Sequence, residues 1–263
     1  MIRVQGIHKY FHRGSVNEVH SIRDVSIDIE QGDFVTIIGS NGAGKSTFLS
    51  CLSGTHLVDS GTISMDDTDV TRWPEHKRAK FIGRVFQDPL MGTCASGTIA
   101  QNMALALKRG QARGLGKGVK RSDRPLMRER LAVLGLGLEN RLQDKAGLLS
   151  GGQRQALTMI MATLVRPELL LLDEHTAALD PKTAAQILEL TRNIVTEHSL
   201  TTLMVTHNMH QAISLGNRLI MMHRGQIILD VRGAEKEKLT VEALLDRFHS
   251  LQDADLSDRM LLG

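Results

Sequence analysis

Apolar residues along this chain change period several times, and each change marks an element. Val25, Ile27 and Ile29 alternate with Ser26, Asp28 and Glu30, the period of a strand with one wet face. Residues 1 to about 33 therefore read as strands, interrupted by KYFHRGSVNEV, a polar hairpin or loop. Phe34 to Ile38, FVTII, is an unbroken apolar, β-branched run, as a buried strand requires. Ile82–Phe86, Leu169–Leu172 and Thr202–Thr206 read as further strands, and 218–230 as a hairpin turning at Arg224-Gly225. Helical spacing is expected after residue 45, at 98–108 through Ile99, Met103, Ala106 and Leu107, at 124–134, behind Gln153 and at 182–198. Pro74 opens a short helix, and one amphipathic helix lies around Val241 to His249. Strands alternating with helices predict an α/β fold with a mostly parallel sheet. An antiparallel β portion precedes it, and residues 90–165 are mostly helical.

Between the FVTII strand and the first helix stands GSNGAGKST: Gly39, Ser40, Asn41, Gly42, Ala43, Gly44, Lys45, Ser46 and Thr47. It fits G-x-x-x-x-G-K-[ST]. Glycines let successive N–H groups turn inward and cradle phosphate oxygens. The following helix adds the positive end of its dipole. Lys45 supplies a point charge for the β- and γ-phosphates, and the Ser46 hydroxyl is a ligand for Mg²⁺. Strand, glycine loop, helix is the order this chemistry needs.

Three other stretches carry chemistry. LSGGQ, residues 149–153, places Ser150 as a helix N-cap, with Gly151, Gly152 and Gln153 behind it. Such a helix start is either an ordinary cap or a second anion site. Four leucines end in Asp173-Glu174, which delivers two acids to the carboxyl edge of the sheet, where ligands of open α/β sheets bind. Asp173 is placed to hold Mg²⁺ through water, and Glu174 to deprotonate an attacking water. His207 follows the TLMVT strand, within reach of a γ-phosphate or that water. Tyr10 and Phe11 offer a ring for a purine or a cover for the sheet edge.

Composition narrows the class. With 263 residues and 41% hydrophobic content the chain buries one or two cores. No apolar run approaches the roughly 18 residues that span a bilayer, and MIRVQGIHKY lacks a signal-peptide core. A cytoplasmic protein is expected, set against a membrane through a partner. Net charge of +3 and 3% aromatics argue against nucleic acid. Cys51 and Cys94 form no metal-ligand pattern. KRGQARGLGKGVKRSDR, residues 108–124, holds seven Lys or Arg and four glycines. It reads as a mobile basic loop, either merely solvated or in contact with acidic lipid headgroups or a partner.

Taken together and in order, these motifs resemble the ATP-binding subunit of an ATP-binding cassette transporter over about residues 2–230. GSNGAGKS resembles the Walker A motif, Gln87 stands at the Q-loop position, and LSGGQ is the family signature. LLLLDE resembles Walker B with its catalytic glutamate, AALD the D-loop, and His207 the switch histidine. The family's adenine-stacking aromatic lies two residues after a lysine, which from Lys9 selects Phe11. The sequence departs from the family at His175, where proline or alanine is common.

The resemblance implies one P-loop cassette across 1–263. Its core comprises 1–87 and 166–230 with an N-terminal antiparallel β subdomain, its helical subdomain spans about 88–165, and a short C-terminal helix lies in 231–263. It implies ATP and Mg²⁺ as ligands, with Ser46, Gln87 and Asp173 toward the metal, and Lys45, Glu174 and His207 as catalytic groups. Ser150, Gly151, Gly152 and Gln153 would act in trans, in a head-to-tail pair, here a homodimer, closing over two ATP. Integral-membrane permease subunits would dock on the helical part near Gln87, at the cytoplasmic face of the cell membrane. EHTAALDP resembles an importer subgroup of amino-acid type, which brings an extracytoplasmic solute-binding protein. GSVNEV is similar to ATPases of lipoprotein export, the alternative reading; a non-transport cassette ATPase is the third.

Overall fold

The FVTII run lies near the middle of the molecule as β3 (Phe34–Gly39). In the computed structural model, which describes residues 1–111, 118–247 and 250, two sheets are built around it. The first contains β1 (Ile2–Phe11), β2 (Val19–Ile29), β4 (Ser60–Met65) and β5 (Thr68–Asp69), all antiparallel, in the order β2-β1-β4-β5. The second contains β6 (Ile82–Val85), β7 (Leu169–Asp173), β8 (Thr202–Val205), β9 (Arg218–His223) and β10 (Gln226–Arg232), in the order β10-β9-β3-β8-β7-β6. Only its β9-β10 edge pair is antiparallel.

Each buried strand divides its side chains between two cores, because successive residues face opposite ways. Val35 and Ile37 of β3, with Leu169 and Leu171 of β7, join the core shared with the antiparallel sheet and with α1 (Lys45–Ser53). Leu170, Leu172 and Met204 face a second core. Its helices are α3 (Ile99–Leu107), α4 (Arg124–Ala132), α5 (Gly151–Thr163) and α6 (Pro181–Glu197). The unbroken leucine run is thus two half-strands' worth of packing.

The short helix after Pro74 is α2 (Glu75–Arg78). Its last residue is fully buried and binds four carbonyls: Cys51, Leu52, Thr71 and Trp73. Two of these close the end of α1, where carbonyls lack intrahelical partners. Local pattern did not reveal α7 (Met209–Ser214) or α8 (Ala234–Glu237). Residues 241–247 are helical, and Leu244 packs on a third small core with Leu219 and Met221.

The basic stretch differs from expectation where it is described. Arg109 lies half-buried, its guanidinium donating to the carbonyls of Ala162, at 2.7 Å, and Val165. It binds the C-terminal end of α5, where backbone acceptors are free, so it is part of the fold rather than of a solvated loop. Residues 112–117, which include two of the four glycines of this stretch, lie outside the described residues.

Candidate active site

The site is assembled where β3, β7 and β8 end. Gly44 caps α1 in a left-handed conformation, φ 98°. A Cβ there would lie 2.6 Å from the Ser21 carbonyl, so glycine is required twice over. No side chain caps this helix. Lys45 is 7% exposed and its ammonium donates to the carbonyls of Gly39 at 2.8 Å and Ser40 at 3.1 Å. Burial lowers its pKa, and the carboxylates of Glu174 and Asp173 oppose that shift.

Ser46 Oγ donates to Asp173 Oδ1 at 3.0 Å, which joins the phosphate loop to the end of β7. Burial raises the Asp173 pKa; the Ser46 hydrogen bond and the nearby charges of Arg84 and Lys45 pull it back. Glu174 takes a left-handed conformation, φ 43°, which a non-glycine residue adopts at a cost. Its N–H donates to Val205 O at 3.1 Å, and its carbonyl accepts from Ala177 N at 2.9 Å. This forced turn aims Oε2 toward His207 Nδ1, 3.6 Å away. Register pairs Val85 of β6 with Leu172 of β7, so Gln87, exposed two residues on, reaches the same edge.

His175, the departure from the family pattern, faces inward. It is 1% exposed, and its Nε2 lies 3.0 Å from Thr191 Oγ1, which itself donates to Ile187 O. The ring therefore donates through Nε2 and ties the Glu174 turn to α6, while the buried Nδ1 has no partner. Burial depresses its pKa to about 4, so the ring is neutral.

At the end of β1, Tyr10 is stacked on His20 with centroids 3.9 Å apart, and the Arg13 guanidinium lies 4.8 Å from its ring. Phe11 has an edge contact with His56 at 5.1 Å and Lys9 at 5.8 Å. The ring more available for stacking is therefore Phe11.

Ser150 is the N-cap of α5. Its Oγ accepts from Gln153 N, and the Gln153 side chain accepts from Ser150 N, both at 3.2 Å, a closed capping box. Gly152 sits against α6, where a Cβ would meet Thr183 Cγ2 at 2.2 Å. Asp180 caps α6 through Thr183 N at 3.1 Å.

Sequence reasoning missed Arg84. It is an arginine inside the short buried strand β6, and a charge there needs partners. Its Nη1 donates to Ser53 Oγ and Thr55 Oγ1, its Nη2 to Ser50 Oγ, and Nη2 lies 4.0 Å from Asp173 Oδ2. The same side chain lines a groove of about 970 Å³ between α2, β6, α3 and α5. His76, Lys77, Lys80, Lys108 and Arg109 also line it, and among its described lining residues none is acidic.

These motifs have known counterparts. The ABC transporter family pattern matches residues 22–177. The chain belongs to the ABC transporter family. It is 48% identical to a tyrosine transport ATP-binding protein of Clostridioides difficile, over 94% of this chain and 98% of that one. It is 34% identical to a methionine import ATP-binding protein of Bacillus thuringiensis, across 87% of this chain and 65% of that relative's length. Among solved structures, a dimeric ATP-binding cassette in a post-hydrolysis state with ADP and phosphate superposes with a TM-score of 0.74, at 27% identity, over 88% of this chain and 98% of that one. A nucleotide-free cassette from an ABC transporter does so with 0.74 at 26%, over 90% and 93%. The chain is thus an ATP-binding subunit of a transporter, an ATPase on a P-loop fold. Among the described residues, no helix is long and apolar enough to cross a membrane.

Proposed function

We propose that this ABC ATPase powers amino-acid import through a separate membrane permease, working with a second cassette, a copy of itself, in a head-to-tail pair over two ATP. One observation carries the reading. Lys45, Ser46, Asp173, Glu174 and His207 meet at one sheet edge, in a chain whose relatives are named for tyrosine transport and methionine import.

Each residue has a task at that edge. The loop from Gly39 to Thr47 holds the phosphates, with Lys45 moving from its two carbonyls to the β- and γ-oxygens. Phe11 stacks on adenine. Glu174 takes the proton of the attacking water, and His207 holds that water or the γ-phosphate in line. Ser46 and Asp173 are hard oxygen donors 3.0 Å apart, a set that suits Mg²⁺, with Gln87 following β6 toward the same sheet edge. When bound, Mg²⁺ neutralises charge on the transferred phosphoryl group. Ser150, Gly151, Gly152 and Gln153 complete the partner's site. His175, next to the acid pair, and Gly152 of the LSGGQ helix both pack on α6 within one chain, which supports a mechanical link between the two on closure.

The permease would dock in the groove beside Phe86 and Gln87. The groove's charge favours a segment carrying acidic side chains. The ATPase would then sit peripherally on the cytoplasmic face, and an extracytoplasmic solute-binding protein would deliver the cargo. The test is capture of the tagged chain from native membranes, with partners identified by mass spectrometry. A multi-span permease and a solute-binding protein are expected. A permease with no binding protein would favour the export reading, and soluble partners alone would overturn transport through a permease.

A further inference from the structure

Arg84 is the one described side chain for which both an ion pair with the β7 acid and a place in the wall of the basic groove are recorded. Its environment is built. Ser50, Ser53 and Thr55 lie at and just beyond the C-terminal half of α1 and receive three of its N–H bonds, at 3.3, 3.1 and 3.0 Å. Ser53 and Thr55 also bond one another at 2.9 Å, so the clamp is itself fixed. The guanidinium lies 4.6 Å from the Phe86 ring, directly before Gln87. Its Nε is buried without a partner. The side chain is 14% exposed and Asp173's is 13%, so water screens this pair poorly.

The two oxygens of Asp173 are therefore divided. Oδ1 accepts from Ser46, and Oδ2 faces Arg84. A carboxylate free to rotate would spend part of its time turned from Ser46; one held at its second oxygen would not. We propose that Arg84 is a positioning residue for the metal-holding carboxylate: clamped on α1, it keeps Asp173 aimed at Ser46 and transmits to it whatever occupies the groove. This rests on the reading of Ser46 and Asp173 as the Mg²⁺ donors. The residue acts from outside the coordination set, as partners that orient metal ligands commonly do. Phe86 and Arg84 move together if a docking segment presses on the groove, and the shift reaches Asp173 through one side chain.

The experiment measures metal binding directly. Mn²⁺, as a paramagnetic substitute, is titrated into the ATP complex and free Mn²⁺ is read by EPR, using the full chain and its Arg84→Met and Arg84→Lys variants. Nucleotide affinity in EDTA is measured alongside. Arg84→Met should weaken Mn²⁺ binding about tenfold, leave metal-free ATP affinity within about twofold, and Arg84→Lys should restore part of the loss. A structural role alone would move both affinities or neither. If Arg84→Met does not fold, the double variant Ser53→Ala with Thr55→Val loosens the clamp and should weaken Mn²⁺ binding in the same direction. Wild-type Mn²⁺ affinity in a folded Arg84→Met protein would overturn the proposal and leave the ATPase reading intact. Failure of the wild-type ATP complex to bind Mn²⁺ would overturn the Ser46–Asp173 assignment, and the proposal with it.

Discussion

Two helices of this molecule begin on glycines and a serine, and they begin differently. At α1 no side chain caps the helix, and a lysine is folded over two carbonyls of its own loop. At α5 the serine and glutamine cap one another, and the hydroxyl oxygen already accepts one bond. Both carry the dipole that attracts anions. The first start has no side-chain cap over its N–H groups; at the second, Ser150 Oγ already accepts from Gln153 N and keeps its O–H as a donor. In the proposed function, one helix start would be a site in itself, whereas the other would complete a site in the partner.

The strongest test of this contrast acts on the acids at the end of β7. Glu174→Gln removes the proposed base and leaves the α1 loop intact. Turnover should fall about 10²–10⁴-fold, while calorimetry shows ATP affinity near wild type and size-exclusion chromatography with ATP shows dimers. A wild-type rate would remove Glu174 from its role. The segment joining the two regions can be probed by acid. His175 in the fold has a pKa of about 4, below its ordinary 6.5, so the unfolded chain takes the proton first as pH falls. Stability is fully present above about pH 6.5 and declines toward pH 4, by up to ~3 kcal/mol. Denaturant midpoints should show this slope, and His175→Gln should flatten it.

Lys45→Ala tests the open start alone. The loss of a charge-assisted bond, about 1.5–3 kcal/mol, should weaken ATP binding by roughly 10- to 100-fold in calorimetry; unchanged affinity would break the comparison. Gly152→Ala tests the packing under the capped start. Its Cβ must displace Thr183, at about 1–3 kcal/mol by thermal melting. Ser150→Ala has the smallest local effect, about 1 kcal/mol of cap stability. ATP affinity of the single chain should stay within about twofold, yet turnover at dimer-forming concentration should drop. A loss of affinity in the monomer would mean that Ser150 serves its own chain's site.

What was legible in the chain follows from where partners lie in sequence. The loop from Gly39 to Thr47, the Ser150 cap and the order of strands could be read because each depends on residues within a few positions. Arg84, Arg78 and Arg109 could not, since their acceptors lie 26 or more residues away, except for Thr71 and Trp73 beside Arg78. The signal that remained was an arginine in the middle of IGRVF. Likewise Arg109 read as part of a solvated loop because charge density was the only local cue. The acceptors at the end of α5 became visible only in three dimensions.

By itself, the sequence determined the α/β class, the phosphate loop and the acids at the end of the leucine strand, because period, glycine geometry and spacing are local properties of a chain. Tertiary structure alone decided that Ser46 meets Asp173 across 127 positions, that Glu174 is turned left-handed toward His207, and that Arg84 faces both groove and acid. Those facts depend on parallel strands brought side by side by long crossovers. Register across such a sheet is fixed by the packing of both its faces at once.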